Sequence, residues 1–96
     1  VTYYNNRGLA YFHLSEHEPA LADFTAGLAL APAAAHLRLN RARVYEQQGA
    51  LPEALADYEA YMQRTASDTS AITQQRRAET AARIAELRAD QNLSDE

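Results

Sequence analysis

The stretch HLSEH at residues 13–17 places His13 and His17 four apart, the spacing at which one helix turns two imidazoles toward a metal ion. Ser15 stands between them where the chain is expected to turn, so the helix they would share is broken. No third ligand is in register, since His36 lies one helix away. These are expected to be surface histidines, with no metal and no cofactor. Nucleophilic chemistry fares no better. Ser15, Ser67, Ser70 and Ser94 fall in turns or termini, and none sits on a glycine-flanked elbow. There is no phosphate-binding loop, and no carboxylate pair in an evident cleft. The chain is expected to be non-catalytic.

The arginines are more informative. NRG at 6–8 and NRA at 40–42 stand 34 residues apart, and so do Asp23 and Asp57. An arginine on a helix–helix seam lays its stem on apolar surface and keeps its head in water. An acid recurring in the same phase is its natural partner: Asp23 for Arg7 and Asp57 for Arg41, or Asp23 for Arg41 across the boundary. The period is not confined to charges. ALADF at 20–24 and ALADY at 54–58 repeat it, as do the turn segments HLSEHEP (13–19) and QQGALPE (47–53). A fixed period of this length is the mark of stacked helical units.

Composition narrows the partners. Ninety-six residues with 47% hydrophobic side chains suit one small folded unit rather than a disordered tail. The net charge is −4 and all nine basic residues are arginine. They are spread along the chain, so no segment forms the basic footprint of a nucleic-acid binder. No apolar run nears the roughly 18 residues of a membrane span. The absence of cysteine excludes disulfides and thiolate chemistry and leaves the compartment undecided. Alanine-rich, lysine-free composition suits a GC-rich bacterial genome. A chain opening on Val1 is expected to be a piece of a longer polypeptide.

The elements that must carry these residues are helices. Alanine at about a fifth of the chain, with only three glycines and three prolines, is helix composition. Tyr4, Gly8 and Tyr11, then Ala20, Phe24, Gly27 and Leu28, recur at helical spacing. Ser15 and Gly49 mark turns, and Pro19 and Pro52 follow them into the first turn of the next helix, where proline is tolerated. Five helices are predicted, near 2–14, 18–30, 35–48, 52–64 and 70–90. Small Gly8, Ala20, Gly27, Ala42 and Ala54 would sit at helix crossings, with Tyr11 and Phe24 filling the space around them.

A 34-residue helix–turn–helix with an aromatic, Gly-x-x-Tyr, Ala-x-x-x-Phe and a closing proline resembles the tetratricopeptide repeat. Tyr4, Gly8, Tyr11, Ala20, Phe24 and Pro32 occupy those places. The second copy keeps Tyr45, Gly49, Ala54 and Tyr58 and departs at Arg38, Ala42, Tyr61 and Ala66. The resemblance implies an all-α, right-handed superhelical stack: one repeat at 1–34, a second at 35–68, a capping helix at 69–91 and a frayed tail at 92–96. The capping helix would cover the second repeat with Ile72, Ala78, Ala81 and Ala85, Ile84 and Leu87 beside them, and turn Arg77, Glu79, Arg83, Glu86 and Arg88 to water.

The resemblance also implies a function. First helices of such repeats line a concave face that holds a peptide or partner surface. Here that face would carry Asn5, Asn6, Leu9, Phe12 and His13, then His36, Leu39, Asn40, Arg43 and Gln47, with Leu9, Phe12, Leu39, Asn40 and Arg43 substantially exposed. The partner is expected to be a protein or peptide. A homo-oligomer built on the open repeat edge and the long last helix is the alternative. Members of the family that grip the C-terminal carboxylate of heat-shock chaperones use five polar residues on the first, third and fifth helices. Only Asn40 matches. Asn5 and Leu9 replace the first pair, Ser70 and Gln74 take the in-phase places on the fifth helix, and Arg76 and Arg77 fall out of register.

Overall fold

The computed structural model describes residues 1–94, with side chains to residue 90. It is all-helical, with no strand among the described residues. Five helices follow one another: α1 (Thr2–His13), α2 (His17–Leu30), α3 (Ala35–Gln48), α4 (Leu51–Arg64) and α5 (Ala71–Ser94). Each begins within one residue of its predicted start. The last runs to Ser94, into the segment expected to fray; residues 95 and 96 of that segment lie outside the described residues.

Local chemistry sets the breaks. Ser15 takes a left-handed conformation (φ 60°) between α1 and α2, and separates His13 from His17. Gly49 ends α3 at φ 80°, where a side chain would be strained, and its own amide and that of Ala50 return to the carbonyls of Glu46 and Tyr45. Pro52 lies in the first turn of α4. Neighbours in sequence are neighbours in space: α1 packs on α2, α2 on α3, α3 on α4 and α4 on α5. The result is two helical hairpins, with α5 laid on the second.

Apolar burial forms two linked clusters. One gathers Ala20, Phe24, Leu28, Leu37 and Val44 between the first hairpin and α3, with Leu9, Tyr11 and Phe12 partly buried against it. The other gathers Leu39, Ala42, Ala54, Leu55, Tyr58, Tyr61, Ile84 and Leu87. Gly8, Ala20, Ala42 and Ala54 are buried at the crossings, as their small size predicts. At Gly8 the fit leaves no room: a Cβ there would lie 2.7 Å from Cε1 of Phe24.

The repeated arginines pair within their own hairpins. Arg7 donates Nε and Nη2 to the two oxygens of Asp23 at 2.8 and 2.7 Å. Arg41 does the same to Asp57 at 2.7 and 2.9 Å. The cross-boundary option is not taken; Arg41 instead reaches back to Thr25 Oγ1 at 3.3 Å. Charge-assisted, two-pronged bonds of this kind fix orientation as well as adding attraction. The hydrogen bonds to Asp57 raise the Arg41 pKa above its ordinary value, against the opposing effect of burial. Arg38, where the resemblance would place an aromatic ring, lies between the Pro32 carbonyl and Asp57, and its buried Nε has no hydrogen-bond partner.

The seat of α5 differs from the expected one. Thr80, Ile84 and Leu87 are buried, whereas Ile72, Ala78, Ala81 and Ala85 are exposed. Thr80, Ile84 and Leu87 recur at i, i+4 and i+7 and bring the larger apolar groups to α4; a methyl group cannot compete for that seat. Nor do the arginines all face water. Arg77 donates to the Met62 carbonyl and to Thr65 Oγ1 at the end of α4, and Arg83 reaches Glu46 on α3.

Candidate partner-binding groove

Six of the ten residues expected on the concave face line one cavity of about 270 Å³: Asn5 and Leu9 of α1, and His36, Leu39, Asn40 and Arg43 of α3. Helical phase brings them together, because they stand off the sides of α1 and α3 that carry Gly8 and Ala42 into the crossings. A seventh residue, Arg76 of α5, closes the cavity from the opposite wall. The remaining four lie elsewhere. Asn6 is exposed, and Phe12 is drawn partly into the first core cluster with its ring against His13 (centroids 5.6 Å apart). Gln47 Oε1 meets Nε2 of His17 at 3.2 Å across the turns.

Two of the lining residues are less open than expected. Leu39 is only 5% exposed because Tyr58, Tyr61, Ile84 and Leu87 close over it. Asn40 is 9% exposed and already engaged. Its Nδ2 donates to Asn5 Oδ1 at 2.8 Å, and its Oδ1 accepts from Arg43 Nη1 at 3.3 Å. This relay from α1 through α3 fixes the amides and aims Arg43. Leu9 is half-buried and Arg43 is exposed.

Two further cavities continue along α5. One, about 210 Å³, lies between Leu39 and Arg43 of α3, Tyr58 of α4, and Arg76, Glu79, Thr80 and Arg83 of α5. The other, about 330 Å³, runs past His36, Tyr61, Thr65, Asp68 and Thr73 to Arg76 again. Arg76 therefore borders all three. The 34-residue period misses it because the α4–α5 connection is longer. Residues 31–34 join α2 to α3, but 65–70 join α4 to α5, so Ala35 and Ala71 begin their helices 36 residues apart. On that spacing Arg76 stands where Asn40 does. The longer TASDTS connection was the available signal.

The electrostatics divide the groove into a committed part and an open part. Glu46 accepts Arg83 Nε (2.9 Å) and Nη2, and the Tyr58 hydroxyl at 2.8 Å. The Arg83 bond, followed by that from Tyr58, holds the Glu46 carboxyl below its ordinary value of 4.5. Burial, then the bond to Glu46, raises the Tyr58 phenol. Asp68 is likewise lowered, first by the Ser70 backbone amide and then by Thr73, which fixes the entry to α5. By contrast, neither Arg43 nor Arg76 forms an ion pair with a carboxylate among the described residues. No helix is long and apolar enough to cross a membrane, and no cluster of three potential metal ligands occurs among the described residues. No protein-family model matches the chain, and no curated protein is significantly similar to it.

Proposed function

We propose that this chain is a non-catalytic protein-interaction module of tetratricopeptide type, a right-handed stack of two repeats and a closing helix. Its concave face, between α1, α3 and α5, holds a segment of a partner protein that carries a carboxylate. The observation that supports this reading is the pair Arg43 and Arg76, which border one cavity from α3 and α5 with neither in an ion pair with a carboxylate among the described residues. By contrast, Arg7, Arg41, Arg83 and Arg88 bond carboxylates within the fold, and Arg77 bonds the end of α4. A guanidinium held beside apolar surface and fixed amides is a good receptor for a carboxylate. Leu9 supplies apolar area at the rim, and Asn5 keeps amide protons for a peptide carbonyl.

A displayed random-peptide library, selected on the wild-type chain, tests this. The selected peptides should be enriched in Asp and Glu. Arg43→Ala with Arg76→Ala should weaken their capture at least about tenfold, the loss expected for a charge-assisted bond, while the helical circular-dichroism signal stays unchanged. Capture at wild-type strength by the double variant would place binding on another face. Homo-oligomerisation is supported by one observation, the exposed Ala78, Ala81 and Ala85 side of α5 with Ile72 at its start. A clean dimer by light scattering at micromolar concentration would favour it.

A further inference from the structure

The attachment of α5 is unlike that of the other helices. The backbone of α5 comes close to that of α4 alone among the described helices. Its buried apolar anchors are Ile84 and Leu87, whereas α3 is seated on the first hairpin through the fully buried Leu37 and Val44. The rest of its hold is polar, and it differs between the two ends. The start is fastened by the connection itself. Asp68 accepts the Ser70 amide and the Thr73 hydroxyl at 2.9 Å each, and Arg77 satisfies the last turn of α4 through the Met62 carbonyl and Thr65 Oγ1. Further along, Arg83 spans to α3 and grips Glu46 with two nitrogens, while Tyr58 of α4 holds the same carboxylate.

That bridge joins α5 to α3 beside the channel the two helices border, whose lining includes Arg83 and Tyr58. With it in place the channel encloses about 210 Å³. This is less than the roughly 300–1,000 Å³ of sites that enclose small ligands, and a peptide segment needs more. The bridge is also accessible to solvent, with 21% of the Glu46 and 41% of the Arg83 side chain exposed. Water and salt can therefore compete for it, unlike the pair of Arg41 and Asp57. Elements held by few apolar contacts and accessible polar bonds are the ones that open first.

We propose that α5 is a movable wall of the groove, hinged at residues 65–70 and latched by the Glu46–Arg83–Tyr58 bridge. Releasing the latch lets α5 swing from α3 and widens the channel beside Arg43 and Arg76, while the two hairpins stay folded. The consequence for binding rests on the groove reading above; the motion itself does not, and can be measured without a partner.

Hydrogen exchange followed by mass spectrometry on the full chain is the test. Glu46→Gln keeps the shape and can still accept from Tyr58 but removes the charge. Amides of α5 should exchange roughly five- to tenfold faster, and those of α1, α2 and α3 at the wild-type rate. Raising sodium chloride to about 0.5 M, where screening acts within about 4 Å, should accelerate α5 in the wild type and hardly affect the variant. Arg88→Gln, which removes the exposed pair with Glu59 on α4, should change α5 exchange less than twofold. The latch is overturned if Glu46→Gln leaves α5 within twofold of wild type, or if exchange rises evenly over all five helices. Should the variant fail to fold, the salt series on the wild type decides: indifference of α5 to salt overturns the proposal.

Discussion

Replacing Gly8 with alanine sets two terms of similar size against each other. Glycine inside a helix costs about 1 kcal/mol relative to alanine, so on propensity alone the change stabilises α1. The added methyl carbon would stand 2.7 Å from Cε1 and 2.9 Å from Cζ of Phe24, inside any real carbon–carbon contact. Phe24 is fully buried among Ala20, Leu28, Leu37 and Val44, so its ring has nowhere to retreat. Overpacking of that kind costs about 1–3 kcal/mol. The clash therefore outweighs the propensity gain, leaving a net loss of about 1 kcal/mol. For a domain of this size that lowers Tm by about 5 °C. Thermal melts followed by circular dichroism read it directly. The double variant Gly8→Ala with Phe24→Leu should recover about 1 kcal/mol of coupling, because the smaller side chain vacates the place the methyl needs. A Tm that is unchanged or higher in the single variant would show that α1 and α2 do not approach as closely as the structure has them.

The two repeated ion pairs should respond unequally: the Arg41 side chain is 18% exposed against 44% for Arg7. Asp57→Asn should cost about 2 kcal/mol in chemical denaturation, since Arg41 is left with little water. Asp23→Asn should cost less, and a larger loss there would contradict the assigned burial. Deleting residues 70–96 uncovers Tyr58, Tyr61 and Met62. Aggregation or a broadened melt is expected, and a monomer that melts as sharply as the parent would make α5 dispensable. Acid should loosen α5. The folded Glu46 value is depressed, so its contribution is fully present above the ordinary 4.5 and is lost as pH falls through the depressed value. The groups that set it are Arg83 on α5, Tyr58 on α4 and Arg43 on α3 itself. Exchange of α5 amides that stays flat from pH 6 to below about pH 4, after correction for intrinsic rates, would refute this.

The sequence by itself determined the helices, their breaks and the pairing of the first two hairpins. Those features are written in short-range terms: helical spacing of Gly8, Tyr11 and Phe24, turn formers at Ser15 and Gly49, and prolines placed in first turns. The 34-residue period also singled out Arg7, Asp23, Arg41 and Asp57 but left open whether Asp23 meets Arg7 or Arg41; the packed hairpins decide for Arg7 with Asp23 and Arg41 with Asp57. What the period could not carry was α5. Two extra residues in the 65–70 connection shift its register, and that places Arg76 in the groove and turns the alanine side outward. Which side of α5 is buried depends on what α4 offers, a row of tyrosines that accepts Ile84 and Leu87 and leaves methyl groups no advantage. The same closing of α5 covers Leu39, which phase alone leaves on an open face. Phase says which residues share a face; only the packed neighbours decide whether that face meets water.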